Sequence, residues 1–183
     1  MSQKDAPIKP KYIVPTAGKR GMTALHHAAY LNDPDAVRAE LQRDSPVDVR
    51  DDGGWTPLHW SIDMAQAWGE PEEVVSLLLG AGASPNSVDN SGFSVLMMAC
   101  GRNNEAILER LINAGADINL RTAEATPLHE AAGCDFSEGI QRLLALGADS
   151  QQTDSRGRTP EQVAEEYGFD ESLAVLKAAR PVT

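Results

Sequence analysis

Cysteine, lysine and aromatic residues are all scarce in this chain of 183 residues, and each shortage excludes something. The two cysteines, Cys100 and Cys134, form no CxxC pair and no disulfide framework. A reducing compartment is therefore expected, and the cytoplasm is the simplest address. Only one lysine, Lys177, follows position 20. The first twenty residues carry Lys4, Lys9, Lys11, Lys19 and Arg20 against Asp5, a net of +4, so the remainder holds −15 of the formal −11. A body this acidic does not neutralise a phosphate backbone, and nucleic acid is not an expected ligand. A protein partner of basic or mixed charge is. No apolar run approaches ~18 residues, so no membrane span is expected, and the proline-broken N-terminus lacks a signal-like apolar stretch.

Motifs that carry chemistry are missing too. There is no Walker loop, GxSxG elbow or HExxH pair, and no calcium-loop spacing. No catalytic residue, metal ligand or cofactor is expected. The acidic clusters Asp51-Asp52 and Glu70 with Glu72-Glu73 read as solvated surface.

What the chain does have is an internal repeat. TALH begins at Thr23, TPLH at Thr56, SVLM at Ser94, TPLH again at Thr126 and TPEQ at Thr159, with spacings of 33, 38, 32 and 33. In three of these units proline follows a threonine able to cap a helix, and the first helical position needs no N–H. A second amphipathic run follows, as in Val74, Val75, Leu78 and Leu79 or Ile107, Leu108, Leu111 and Ile112. Gly82, Gly115 and Gly147 then close that run, where a left-handed residue ends a helix without a Cβ penalty.

The Thr-Pro-Leu-His register with its period near 33 resembles the ankyrin repeat family. The resemblance covers roughly residues 18–180. It implies an all-α solenoid of five helix-turn-helix repeats with short β-hairpin loops, spanning 18–50, 51–88, 89–120, 121–153 and 154–180. A basic, extended arm, residues 1–17, precedes it, with docking of residues 12–20 and mobility before that expected. Glu161, Lys177 and Glu40 stand where other repeats carry leucine or isoleucine, so the first and last repeats are expected to act as caps.

His26, His59 and His129 share one repeat position. A catalytic base is needed once, and equivalent residues in stacked repeats lie roughly 10 Å apart, too far to share an ion. The resemblance implies a structural histidine that bonds backbone and threonine groups. The tryptophans differ, since Trp55, Trp60 and Trp68 all lie in the second repeat. In the family the hairpin tip and the exposed face of the first helix form a concave binding surface. Met22, Tyr30, Trp55, Trp60, Met64, Trp68, Phe93, Met98 and Arg102 are accordingly expected to contact a partner. Trp55 and Trp60 are read as its anchors, leading toward the groove and away from the stacked core.

Two units depart from the period. The second is five residues too long, with the excess at 63–71, and Trp68 there either folds back or grips a partner. The loop at 120–125 is one residue short and lacks the usual Asp and Gly, so its turn must differ. The expected function is non-enzymatic protein binding by a monomer; a dedicated inhibitor or immunity protein against an enzyme or toxin is the alternative.

Overall fold

A computed structural model describes residues 21–63 and 71–179. The arm at 1–17, and Met64 and Trp68 of the insert, lie outside the described residues. Ten helices are present among those described, in five antiparallel pairs. They are α1 (Ala24–Tyr30) with α2 (Pro34–Leu41), α3 (Pro57–Asp63) with α4 (Glu72–Gly80), and α5 (Val95–Gly101) with α6 (Glu105–Asn113). The remaining pairs are α7 (Pro127–Gly133) with α8 (Ser137–Ala145) and α9 (Pro160–Tyr167) with α10 (Asp170–Ala178).

Local chemistry sets the bounds of each helix. Thr23, Ser94, Thr126 and Thr159 are the N-caps of the inner helices; Ser94 Oγ, for example, accepts from Met97 N at 3.1 Å. Asp33 and Asn104 cap the outer helices α2 and α6 in the same way. The turn between inner and outer helix needs one left-handed residue. Asn32, Asn103 and Asp135 supply it at φ near +50°, and Gly168 supplies it in the last pair. Gly82, Gly115 and Gly147 all sit at φ +90° just past their helices, as the sequence implies, with Asp44 in the equivalent place of the first pair.

Odd-numbered helices stack on one another as an inner layer and even-numbered helices as an outer one. Leu25, Leu58, Leu96 and Leu128 form a file of buried side chains through the inner layer, and Val37, Val75, Leu108 and Ile140 form one through the outer. A single continuous core results. The ion pairs Arg38–Glu73 and Arg142–Glu109 join neighbouring outer helices at the surface, where such pairs contribute little. Glu40 is half-buried and paired with Arg43, and Lys177 is exposed.

The expected hairpin loops carry almost no strand: among the described residues one isolated antiparallel bridge, Val88 with Ser94, is found, flanked by Asp89 N to the Phe93 carbonyl at 2.8 Å and Val95 N to the Ser87 carbonyl at 3.1 Å. An aspartate closes these loops. Asp51 N donates to the Trp55 carbonyl at 2.9 Å, while Asp51 Oδ1 accepts from Gly53 N at 2.9 Å and Trp55 N at 2.8 Å. Asp89 and Asp154 repeat this with Phe93 and Arg158. The short loop solves the problem with Thr122. Its N–H donates to the Ala125 carbonyl at 3.1 Å, three residues on rather than four, and its Oγ1 accepts from Glu124 N and Ala125 N at 3.3 Å. The missing residue is thus absorbed within the turn. Thr122→Ala should cost about 1 kcal/mol, read as a lower urea midpoint with an unchanged slope; no shift would mean that the backbone alone holds this turn.

Neighbouring pairs are stitched along both edges. Asn86 Oδ1 accepts from Asp117 N at 2.7 Å while its amide donates to the Gly115 carbonyl, and Asn119 treats Asp149 and Gly147 alike. At the loop tips, Asn90 N donates to the Gly53 carbonyl and Ser155 N to the Glu124 carbonyl. Among the described residues no hydrogen bond joins the 89–93 loop to the 122–125 loop.

Candidate functional site on the inner face

The inner face is built on the threonine–histidine units. Thr23 N donates to His26 Nδ1 at 3.0 Å, so Nδ1 is an acceptor and the ring proton sits on Nε2, which donates to the Trp55 carbonyl at 3.0 Å. His129 does the same between Thr126 and the Arg158 carbonyl. Each ring therefore ties its own helix to the next loop. His59 accepts from Thr56 N at 3.1 Å, but its Nε2, directed at the Phe93 carbonyl, makes no hydrogen bond of acceptable geometry. Burial is the main influence on His59 and lowers it to about 4, against weaker opposing pulls from that carbonyl and from Asp89. His26 and His129 are lowered by burial as well. His26 and His129, kept neutral and committed at both nitrogens, are scaffold, and His59, neutral and buried in the same repeat position, belongs with them.

The aromatic residues are packed around this frame. Trp60 is only 8 % exposed; its Nε1 donates to Asp51 Oδ2 at 3.0 Å, and Tyr30 meets its ring edge-on at 5.6 Å. Met98 is 7 % exposed. The expectation that Trp60 leads away from the core is corrected: it turns inward, where the buried carboxylate of Asp51 accepts its N–H. Trp55 lies 4.8 Å from the Trp60 ring, half-buried, and donates its Nε1 to Asp89 Oδ2 at 2.9 Å. Met22 and Tyr30 are half-buried against the core. Phe93 is half-buried too, but it is not among the side chains packed on that core. Arg102 pairs with Asp63 at the exit of the inner helices.

Asp51 also corrects the reading of Asp51-Asp52 as solvated surface, since Asp51 is buried and Asp52 alone is exposed. Glu72 is half-buried and Glu73 exposed; Glu70 lies outside the described residues. Asp51, Asp89 and Asp154 position this face; Asp89 and Asp154 read in the sequence as turn residues, but the part all three carboxylates play in holding the face does not. Their signal was present, because each precedes a capping Thr or Ser by five residues. Bonds from their own loops hold Asp89 and Asp154 below the usual carboxylate range although burial pulls the other way.

The other end of the face is different. Ala125 and Glu130 occupy the register of Trp55 and Trp60, and the lost bulk leaves a half-open cavity of about 220 Å³. Its lining includes Glu130, Cys134, Arg158, Val163 and Tyr167. Cys134 is half-buried, and burial beside Glu130 pushes its thiol up to about 11; Cys100 is fully buried and also raised. Neither is a nucleophile at neutral pH. Among the described residues no cluster of His, Cys, Asp or Glu could hold a metal, and no helix is long and apolar enough to cross a membrane.

A family model described as ankyrin repeats (three copies) matches residues 8–89, 63–154 and 96–180. The chain is 32% identical over 152 residues to the tyrosine-protein kinase HTK16 of Hydra vulgaris, covering 79% of this chain and 19% of that protein. It is 31% identical over 150 residues to the B-cell lymphoma 3 protein homolog of Mus musculus, covering 76% and 32%. With the nuclear factor NF-kappa-B p105 subunit of Gallus gallus it shares 32% over 170 residues, covering 86% and 16%. The chain thus spans less than a third of the length of each of these relatives.

Proposed function

The chain belongs to the ankyrin-repeat family, whose repeats are protein–protein interaction modules, and from that premise we propose that it is a non-enzymatic module that grips one partner protein on its inner face, in the cytoplasm, as a monomer. The observation that carries this is an aromatic patch fixed in place but not fully covered. Two indole N–H groups are anchored on Asp51 and Asp89, so the rings hold one orientation. Little ordering cost then opposes docking. Trp60 and Met98 form the floor of the patch; Phe93 and the open parts of Trp55, Tyr30 and Met22 form its contact surface. Exposed Asp52 at the rim suits a basic or mixed-charge partner.

Phe93 is the informative residue to change, because its loss leaves the core intact. Affinity capture from the native source should recover a partner with the wild type that a folded Phe93→Ser variant binds about tenfold more weakly or worse. A partner retained undiminished by that variant would move the binding surface elsewhere.

A further inference from the structure

We propose that the cavity between α7 and α9 is a binding site for the guanidinium head of one arginine side chain of the docked protein. The proposal rests on the reading of the inner face as a protein-binding surface and adds a second, chemically distinct contact to it. The aromatic patch takes apolar surface at one end. The cavity takes a cation at the other.

Size is the first argument. Pockets for drug-sized ligands run to about 300–1,000 Å³; one of about 220 Å³ suits a single side chain. Ala125 and Val163 give it apolar wall for an aliphatic stem.

The second argument is the state of Glu130. Its carboxylate lies across the preceding inner helix, so close to Gly101 that a Cβ there would stand 2.8 Å from Oε1. Its one recorded polar contact among the described residues is the Cys134 thiol, 3.7 Å away. A carboxylate offers about four lone-pair sites. Asp154 and Asp89 each accept four hydrogen bonds from their surroundings, while Glu130 accepts one weak one. Burial raises the Glu130 carboxyl, and among the described residues no cation is paired with it to oppose that.

Charge is the third. Arg158 lines the cavity, but its Nε and one terminal nitrogen donate to Asp154 at 2.8 and 2.7 Å, and the other terminal nitrogen pairs with Glu166. Arg102, whose charge is felt at Cys134, is paired with Asp63. Glu130 and Asp154 against Arg158 leave the lining one net negative charge, and Glu166 occupies the remaining nitrogen of Arg158. Tyr167, 55 % exposed and stacked on Phe169 at 5.9 Å, is the aromatic side chain of the lining, where a planar cation would meet it. A forked guanidinium fits a carboxylate with free lone pairs better than an ammonium does.

Gly133 and Cys134 line the cavity and provide the readout. N-acetyl-arginine amide, added to the full chain, should saturably shift the backbone amide signals of both residues. N-acetyl-citrulline amide, the neutral isostere, should not. Glu130→Gln, which keeps the shape and removes the charge, should weaken arginine-amide binding about tenfold or more. If that variant is unfolded, Ala125→Trp fills the space and should abolish the shifts. Equal effects of the citrulline probe, a Glu130→Gln variant that binds as wild type, or no saturable shift would each overturn the proposal. A silent cavity beside Phe93-dependent partner capture leaves the interaction reading standing. Arginine binding without any such partner sinks that reading instead.

Discussion

Trp60→Ala lowers the free energy of unfolding by about 3–5 kcal/mol, the usual cost of truncating a large buried aromatic. Trp60 shows the three features that produce a loss of this size. Its ring is almost wholly enclosed, it packs against both Tyr30 and Trp55, and its N–H satisfies one oxygen of buried Asp51. Removal leaves a void and a carboxylate oxygen without its donor. Against a total of about 5–15 kcal/mol for a domain, the loss is severe. Urea unfolding followed by circular dichroism measures it directly. Trp60→Phe separates the two causes, because it keeps most of the apolar area and forfeits the hydrogen bond, at about 1–3 kcal/mol. A loss below about 1 kcal/mol for the alanine variant would mean that the indole is not core. A binding defect in Trp60→Ala therefore reports on folding first, which is why Phe93→Ser is the variant for partner capture.

The second large effect is a loss of stability in mild acid. His59 is held neutral at about 4 in the fold, against 6.5 for the ordinary imidazole. The unfolded chain takes up the proton first, so stability is complete above pH 6.5 and falls as pH drops toward 4. Each unit of difference corresponds to about 1.4 kcal/mol, so His59 alone removes about 3 kcal/mol across that window. His26 and His129 are lowered in the same direction and add to the slope. Asp89 and Asp154, held below 3.8, act in a separate window beneath it, where their protonation removes stability in turn. Denaturant midpoints taken between pH 7 and 4 test this. His59→Gln should start less stable and show a flatter slope. A wild-type midpoint constant from pH 7 down to 5 would contradict a buried neutral imidazole.

Much of this architecture is legible in the residues themselves. Thr-x-x-His names both the cap and the ring that bonds it, and Gly82, Gly115 and Gly147 mark helix ends at positive φ. The side of the chain on which Trp60 ends is not legible. The same register holds half-buried His27 and Glu130 and nearly buried Trp60 and Met98. Period assigns a position; a hydrogen-bond partner nine residues earlier decides whether an indole turns inward. The turn at Thr122 is similar. Its shortened loop is visible by alignment, but the use of a hydroxyl in place of a carboxylate depends on distances that no pattern contains. The cavity lies where Ala125 and Glu130 occur together in the register of Trp55 and Trp60, a coincidence that neither position announces by itself.

The unbonded seam between the 89–93 and 122–125 loops has one more consequence. Elsewhere along the tips a histidine-to-carbonyl bond, a tip-to-tip bond or both tie neighbours together. Here Met97 stands in place of a histidine, and the ties between the two units lie away from the tips: Asn103 donates to the Cys134 carbonyl at 3.1 Å, Asn119 bonds Gly147 and Asp149, and Arg142 pairs with Glu109. The aromatic anchors and the cavity therefore stand on opposite banks of a junction that is clamped from behind and left unlaced along its rim.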